Sequence, residues 1–168
     1  ETLRVLYEPF IGKFISESDI ENCFTKIDAE VLNQFKLVYK EGEIKKGRNL
    51  LAFEVAKRNI LNFLKVEQES IKNGDAIKII ALETTFERLL NHPNLPFPVL
   101  IKGNVDRIEE RNNVIRIIDY KTGKVEKPSL ILKSWNGLID DIKYDKIIQI
   151  LAYAFMYESH ANGKNIEA

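Results

Sequence analysis

Residues 104–123 read NVDRIEERNNVIRIIDYKTG, and this stretch decides the fold class of the 168-residue chain. Two runs rich in β-branched residues flank the polar pair Asn112-Asn113, which is the pattern of two strands joined by a tight turn. Asparagine tolerates a positive φ, so a two-residue turn fits this pair. The stretch predicts an antiparallel hairpin, in a register that a bulge or a longer loop would shift.

Charged residues interrupt both predicted strands. With a two-residue turn, Arg111 pairs with Val114, and the same register places Asp106 opposite Asp119. Lys121 lies two residues beyond Asp119 and shares its face. Two opposed carboxylates repel each other, so one must take up a proton or a cation must lie between them. A hard divalent cation, Mg²⁺ or Mn²⁺, bridges them better than one ammonium group does.

The alternative is a surface hairpin in which both aspartates are solvated and Lys121 makes an ordinary salt bridge. Apolar residues on both faces argue against it, because a sheet covered on both sides leaves mid-strand carboxylates poorly hydrated. One face carries Val105, Val114 and Ile118, and the other carries Ile108, Ile115 and Ile117. The pattern alone leaves the surface hairpin and the cation site both open.

The rest of the chain predicts helices, then strands, then a final helix. A capping pattern at Ser16–Asp19 opens the helical part, and Asn73-Gly74 is suited to a left-handed stop. Strand-like runs follow, and residues 143–159 have helical spacing. We expect an α/β fold in α+β order, with a central mixed sheet flanked by helices and the antiparallel hairpin carrying the candidate site.

One domain accounts for the chain, since no repeat or linker divides it. We expect a single domain over residues 1–168, helical in 1–75, with the sheet and the final helix in 76–168. The chain opens inside a helical pattern and stops where another strand would be natural, so we expect truncation at both ends. The charged stretch 39–49 predicts a solvated loop, and a phosphate-contacting patch is the alternative.

Composition excludes several classes of protein. The chain has 25 basic and 25 acidic residues, so any contact with a polyanion must be local or metal-assisted. The lone cysteine, Cys23, excludes a disulfide framework and an iron–sulfur cluster, and we expect it to be a buried, inert thiol. No apolar run approaches the roughly 18 residues of a membrane span, and no ATP-binding loop is present. We expect a cytoplasmic protein without membrane or nucleotide partners.

Two polar residues stand out on the final helix. Gln149 and Tyr153 are four residues apart and therefore share one face, beside an apolar stripe. Such a tyrosine usually belongs to the core, with its hydroxyl hydrogen-bonded. Beside an acidic metal site, the pair could instead orient a ligand or hold a phosphate.

Three short motifs in order, GNVDRI at 103–108, IIDYKTG at 117–123 and QILAY at 149–153, resemble the PD-(D/E)xK nuclease superfamily. Within it, they are most similar to the RecB-like, or AddB-like, nuclease domain of helicase–nucleases such as AddAB. The resemblance implies a restriction-endonuclease-like core. It also implies a Mg²⁺- or Mn²⁺-dependent deoxyribonuclease, an exonuclease rather than an endonuclease, acting in DNA repair and recombination with a helicase domain or subunit.

The same resemblance implies roles for single residues. Asp106 and Asp119 would be metal ligands, and the backbone carbonyl of Tyr120 would complete the set. Lys121 would position or activate the attacking water and stabilise charge on the phosphate.

Further positions of the pattern imply supporting roles. Gln149 and Tyr153 would contact DNA or the catalytic lysine, and Glu83 resembles an acidic position ahead of the aspartate strand.

Apart from the resemblance, a neutral chain needs local basic residues to offset the phosphates, and the candidates are Lys102, Arg107 and Lys124. Arg107 lies on the opposite face from Asp106 in a regular strand, so Lys124, which directly follows the second motif, is favoured.

One departure from the pattern concerns histidine. The family's first helix usually supplies a histidine ligand, which would fall immediately before Glu1 here. Neither His92 nor His160 matches that position, and we expect both on the surface. The chain is therefore expected to lack one metal ligand, which would weaken or abolish its activity.

Four hypotheses follow, led by a metal-dependent DNA nuclease. The second is a degenerate, non-catalytic member that binds DNA or scaffolds a helicase partner. The third and fourth, which are less favoured, are an RNA nuclease and a protein-only interaction domain. A basic surface would favour the nucleic-acid classes, and a large apolar patch would favour the interaction domain.

Overall fold

The computed structural model describes residues 1–40, 46–123, 130–132, 134–139 and 141–167. The helices are α1 Thr2–Tyr7, α2 Glu17–Tyr39, α3 Gly47–Lys72 and α4 Asp145–Tyr157. The strands are β1 Ile77–Leu90, β2 Val99–Arg111, β3 Val114–Ile118 and β4 Ile166–Glu167. The contacts of the chain group into two compact units, Glu1–Ile79 and Ile80–Ala168, which are described in turn.

The predicted capping pattern opens α2 in the first unit. Ser16 Oγ accepts from the Asp19 N–H at 3.2 Å, and the Asp19 carboxylate accepts from the Ser16 N–H at 2.9 Å. These two bonds form a capping box, which confirms the prediction. The buried side of the helix consists of Ile20, Cys23, Ile27 and Val31. The expected burial of Cys23 is confirmed, and this burial raises the pKa of its thiol to about 11.

Helix α3 begins at Gly47, so the last residues of the stretch 39–49 are helical rather than part of the expected loop, and the helix ends where the stop signal lies. Gly74 has φ of +99°, as a left-handed stop requires, whereas Asn73 keeps φ of −79°. Near the end of this helix the Glu67 carboxylate is buried and accepts a hydrogen bond from the Tyr7 hydroxyl. The predicted solvated loop at 39–49 falls partly on residues 41–45, which lie outside the described residues.

The sheet has the order β1-β2-β3-β4. Strands β2 and β3 pair antiparallel from Arg111 opposite Val114 to Arg107 opposite Ile118. Both asparagines of the connecting turn have positive φ, +52° and +68°. The two-residue turn and its register are therefore confirmed over this length. Strand β4 pairs with β3 in parallel, so the mixed sheet in α+β order is confirmed as well.

Helix α4 packs against the sheet in the second unit. The core there consists of Val105, Ile108, Ile115, Ile117, Tyr153, Met156, Tyr157 and Ala161. Gly103 of β2 lies so close to the helix that an added Cβ would be 3.0 Å from Tyr153 Cε1 and 3.1 Å from Met156 Cε. The glycine of the first motif therefore allows α4 to approach β2.

Several large apolar side chains remain exposed between β3 and α4. The exposed fractions are 70% for Trp135, 87% for Ile139 and 91% for Ile142. Among the helices of the described ranges, none combines the length and the apolar character needed to cross a membrane.

Candidate functional site

The candidate site begins where β3 ends. The strand stops at Ile118, and Asp119 and Tyr120 follow outside the ladder. Asp106 Oδ2 accepts a hydrogen bond of 2.6 Å from the backbone N–H of Tyr120. We expected Asp106 and Asp119 to pair within the ladder. The strand pairing instead ends with Arg107 opposite Ile118, and Asp106 binds the main chain of Tyr120.

Four of the predicted site residues form one hydrogen-bonded network. Asp119 is 9% exposed, and its Oδ2 lies 2.5 Å from Lys121 Nζ. Its Oδ1 accepts from Gln149 Nε2 at 3.2 Å, while Gln149 Oε1 accepts from Lys121 Nζ at 3.2 Å. Gln149 Nε2 also donates to the Tyr153 hydroxyl at 2.7 Å. The end of β3 and one face of α4 therefore meet through these side chains.

The charge of Lys121 is stabilised by this network. Its hydrogen bond to Asp119 raises the pKa of the Lys121 ammonium group, and partial burial opposes that shift. The side chain is 37% exposed. An ammonium group held in this way can donate a hydrogen bond to an oxygen of a bound ligand.

Glu83 is tied to the strand that carries Asp106. Its Oε2 accepts from Asn104 Nδ2 at 2.9 Å, and Asn104 Oδ1 accepts from Thr85 Oγ1 at 3.4 Å. Glu83 also has φ of +45°, in the left-handed region, in the middle of β1. Sequence reasoning missed Asn104, although its position two residues before Asp106 suggests a shared face.

The remaining predicted residues lie on the surface or outside the described residues. Lys102 is 60% exposed, with its Nζ 3.5 Å from Glu87 Oε2. Lys124 lies outside the described residues. His92 and His160 are both exposed, which confirms their expected surface location.

A buried charge cluster beside the site was not predicted. Arg107 and Glu109 are both fully buried and form an ion pair. Glu109 Oε1 also lies 2.9 Å from Arg111 Nε and 3.7 Å from Arg116 Nη1. The signal was present in the sequence, because the hairpin register places Arg116 opposite Glu109.

The oxygen donors here suit a hard divalent cation. No three His, Cys, Asp or Glu side chains come together as a possible metal group in the part of the chain that the structure describes. Asp106, Asp119 and the main-chain carbonyl of Tyr120 supply oxygen only, which favours Mg²⁺ or Mn²⁺ over zinc. Mg²⁺ commonly takes one or two carboxylates and completes its shell with water and phosphate oxygens. The donor set therefore fits such a cation.

A cavity of about 680 Å³ adjoins the network. Asp119, Lys121, Gln149 and Lys146 contribute its polar groups. Its apolar lining includes Ile117, Ile118, Leu130, Leu132, Ile147, Ile150, Leu151, Ala154 and Ile166. The charged groups of the network are therefore accessible to a ligand from this side.

Comparison with known proteins identifies the family. The family model of the PD-(D/E)XK nuclease superfamily matches residues 13–168. The chain belongs to this superfamily, whose members are generally nucleases that use divalent metal ions. The four-stranded mixed sheet, with α4 packed against it, agrees with its restriction-endonuclease-like fold. A search of the curated proteins and a search of the solved structures each found no match.

Proposed function

We propose that this chain is a nuclease domain that hydrolyses the phosphodiester bonds of DNA with Mg²⁺ or Mn²⁺. The network of Asp119, Lys121 and Gln149 at the end of β3 carries the proposal, because it joins a carboxylate to a cationic donor beside an open cavity. The Asp106–Tyr120 hydrogen bond holds the second carboxylate next to the same segment of chain.

Each residue has a role that its contacts support. Asp106, Asp119 and the carbonyl of Tyr120 would hold the cation, which supplies a water of lowered pKa and polarises the phosphoryl oxygens. Lys121 donates to the attacking water or to a phosphate oxygen and stabilises the charge that develops there. Gln149 holds both Asp119 and Lys121 in place through its two amide atoms.

Other residues complete the proposed site. Tyr153 fixes the amide of Gln149 through its hydroxyl, and Glu83 holds Asn104 on the strand that carries Asp106. Lys102, which is 60% exposed, and Lys124 are proposed phosphate contacts. A neutral chain needs such local positive charge, together with the cation, to bind a polyanion.

The motifs at 103–153 also support a finer proposal. They favour a RecB-like exonuclease that acts beside a helicase domain or subunit in DNA repair. The buried thiol of Cys23 is compatible with a reducing compartment such as the cytoplasm.

A second candidate is a non-catalytic member that binds DNA or scaffolds a helicase partner. Both carboxylate oxygens of Asp119 already have partners, Lys121 and Gln149. The exposed side chains of Trp135, Ile139 and Ile142 favour the same candidate, because exposed apolar groups often mark contact sites for proteins.

The test is the degradation of labelled linear DNA, single- and double-stranded, by the purified domain with Mn²⁺, Mg²⁺ or EDTA. We expect cleavage that requires the cation and that falls at least about a hundredfold in Asp119→Asn, which removes one charge without changing the shape. The matched control is Asp28→Asn, which removes an exposed carboxylate of α2 paired with Lys57. Covalently closed circular DNA separates the two modes of cleavage, since an exonuclease leaves it intact.

Two results would count against the nuclease. Cleavage that survives in Asp119→Asn would place the activity elsewhere. DNA binding without any cleavage by the wild-type domain would favour the non-catalytic candidate.

A further inference from the structure

Burying the ion pair of Arg107 and Glu109 costs solvation free energy, so a contribution to stability does not by itself account for its presence. Both side chains are fully buried. Removing two charges from water is costly, and an apolar pair of similar volume is often as stable or more so.

Tyr120 is held from two neighbouring residues of β2. Its backbone N–H donates to Asp106 Oδ2 at 2.6 Å, and its hydroxyl accepts from Arg107 Nη1 at 3.4 Å. Asp106 and Arg107 are adjacent on a strand, so their side chains point to opposite faces. A segment that has already left the sheet is thus attached to β2 at two separate points.

The arginine is itself fixed by a carboxylate that both strands of the hairpin hold. Glu109 pairs with Arg107 and Arg111 on β2 and with Arg116 on β3. Burial strengthens such ion pairs, because the protein interior screens charges less than water does. The hairpin therefore fixes the position of Arg107, and the hydrogen bond from Arg107 in turn fixes the position of the Tyr120 hydroxyl.

We propose that Arg107 and Glu109 are positioning residues for the candidate metal site, acting through the hydroxyl of Tyr120 to fix its main chain against Asp106. This rests on the proposed function, in which Asp106 and the Tyr120 carbonyl hold the cation. The affinity for the cation then depends on a hydroxyl group that does not itself contact it.

The direct test is Tyr120→Phe, which removes the hydroxyl and keeps the ring and the backbone. We expect calorimetric titration to show about tenfold weaker Mn²⁺ binding, the range found when groups behind a metal ligand are removed. The Mn²⁺ concentration for half-maximal cleavage should rise by the same factor. Tyr157→Phe is the matched control, since it removes a buried tyrosine hydroxyl from the core of the same unit.

A second variant tests whether the effect passes through the arginine. Arg107→Lys keeps a charge for Glu109 but loses the planar fork that reaches Tyr120. It should weaken Mn²⁺ binding as Tyr120→Phe does, and the double variant should add no further loss. Additive losses in the double variant would overturn the coupling of the two residues.

Unchanged Mn²⁺ binding in Tyr120→Phe overturns the proposal, even if Arg107→Lys does not fold. Asp119→Asn separates this failure from a failure of the proposed function. If Asp119→Asn loses Mn²⁺ binding while Tyr120→Phe keeps it, only the positioning role is wrong. If Asp119→Asn binds Mn²⁺ like the wild type, or the wild type binds none, both proposals fail.

Discussion

Glu83 adopts a backbone conformation that residues with a Cβ atom normally avoid. Its φ of +45° lies in the left-handed region, inside a strand of fourteen residues. This conformation costs roughly 1–2 kcal/mol for a residue other than glycine, and such strain persists only where the surroundings hold it. The hydrogen bond from Asn104 is one contact that does so.

The strained backbone at Glu83 predicts that glycine is more stabilising than alanine at this position, which is the reverse of the usual order in a strand. We expect Glu83→Gly to be more stable than Glu83→Ala by about 1 kcal/mol, because glycine accepts the left-handed backbone freely. Both variants lose the contact with Asn104, so their difference isolates the backbone term. Urea denaturation measures it.

The control uses the same pair of changes at Glu87, in the same strand and without a positive φ. There alanine should be the more stable residue, as is usual in a strand. If alanine is also favoured at Glu83, the backbone at that position is not strained.

Much of the candidate site follows from residue spacing. Asp119 and Lys121 are two apart, Gln149 and Tyr153 are four apart, and all four meet in one network. The contact of Asp106 with the main chain of Tyr120 could not be predicted, because the run VIRIIDY has the composition of a strand throughout. Only the tertiary structure shows that β3 ends at Ile118.

At the scale of elements, the contact between β2 and α4 depends on one missing side chain. A methyl group at Gly103 would meet Tyr153 Cε1 at 3.0 Å, and the hydroxyl of that tyrosine holds Gln149. We expect Gly103→Ala to lower the free energy of unfolding by about 1–3 kcal/mol, as overpacking does. It should also reduce cleavage, because Gln149 loses its anchor.

Gly123→Ala is the matched control for stability, since no atom of the described residues lies within 4 Å of an added Cβ there. We expect a change below about 0.5 kcal/mol in urea denaturation. Equal effects of the two substitutions would show that the close approach of α4 does not limit the packing.

Short sequence patterns predicted where helices and turns lie better than they predicted which side chains each face of the sheet buries. The capping box of α2 and the asparagine turn depend on neighbouring residues alone, and both are confirmed. The charged face of the hairpin was missed because isoleucine and valine on both sides suggested an apolar covering. Glu109 is instead buried among arginines, an arrangement that requires the pairing of two strands to be known.

For the whole molecule, the balance of charge limits how DNA can be held. The chain has 25 basic and 25 acidic residues, so we expect binding to depend on the cation rather than on a general positive field. Fluorescence anisotropy should show DNA binding at least about tenfold tighter in Ca²⁺ than in EDTA, which corresponds to about 1.4 kcal/mol. Ca²⁺ is chosen because it also takes oxygen ligands and can therefore occupy the proposed site.

The variants used above serve as controls for this measurement. Asp119→Asn should lose the benefit of Ca²⁺, and Asp28→Asn should keep it. Tight binding in EDTA that weakens steeply with salt would instead show that a basic surface holds the DNA.

The order of helices before sheet was predictable, but the grouping of contacts was not. The two compact units divide between Ile79 and Ile80, inside β1 and close to the predicted change of pattern at 75–76. Hydrophobic periodicity locates the change from helix to strand. The boundary between the two compact units depends instead on contacts between residues far apart in the sequence. The single domain over 1–168 stays a prediction.

The lone tryptophan has a spectroscopic consequence. Trp135 is 70% exposed and is the only indole in the chain, so its emission already reports a largely aqueous surrounding in the native state. Denaturation should therefore change its emission maximum little, and circular dichroism is the appropriate signal for the unfolding experiments above. The same property makes Trp135 emission a local reporter for any molecule that covers the segment before α4.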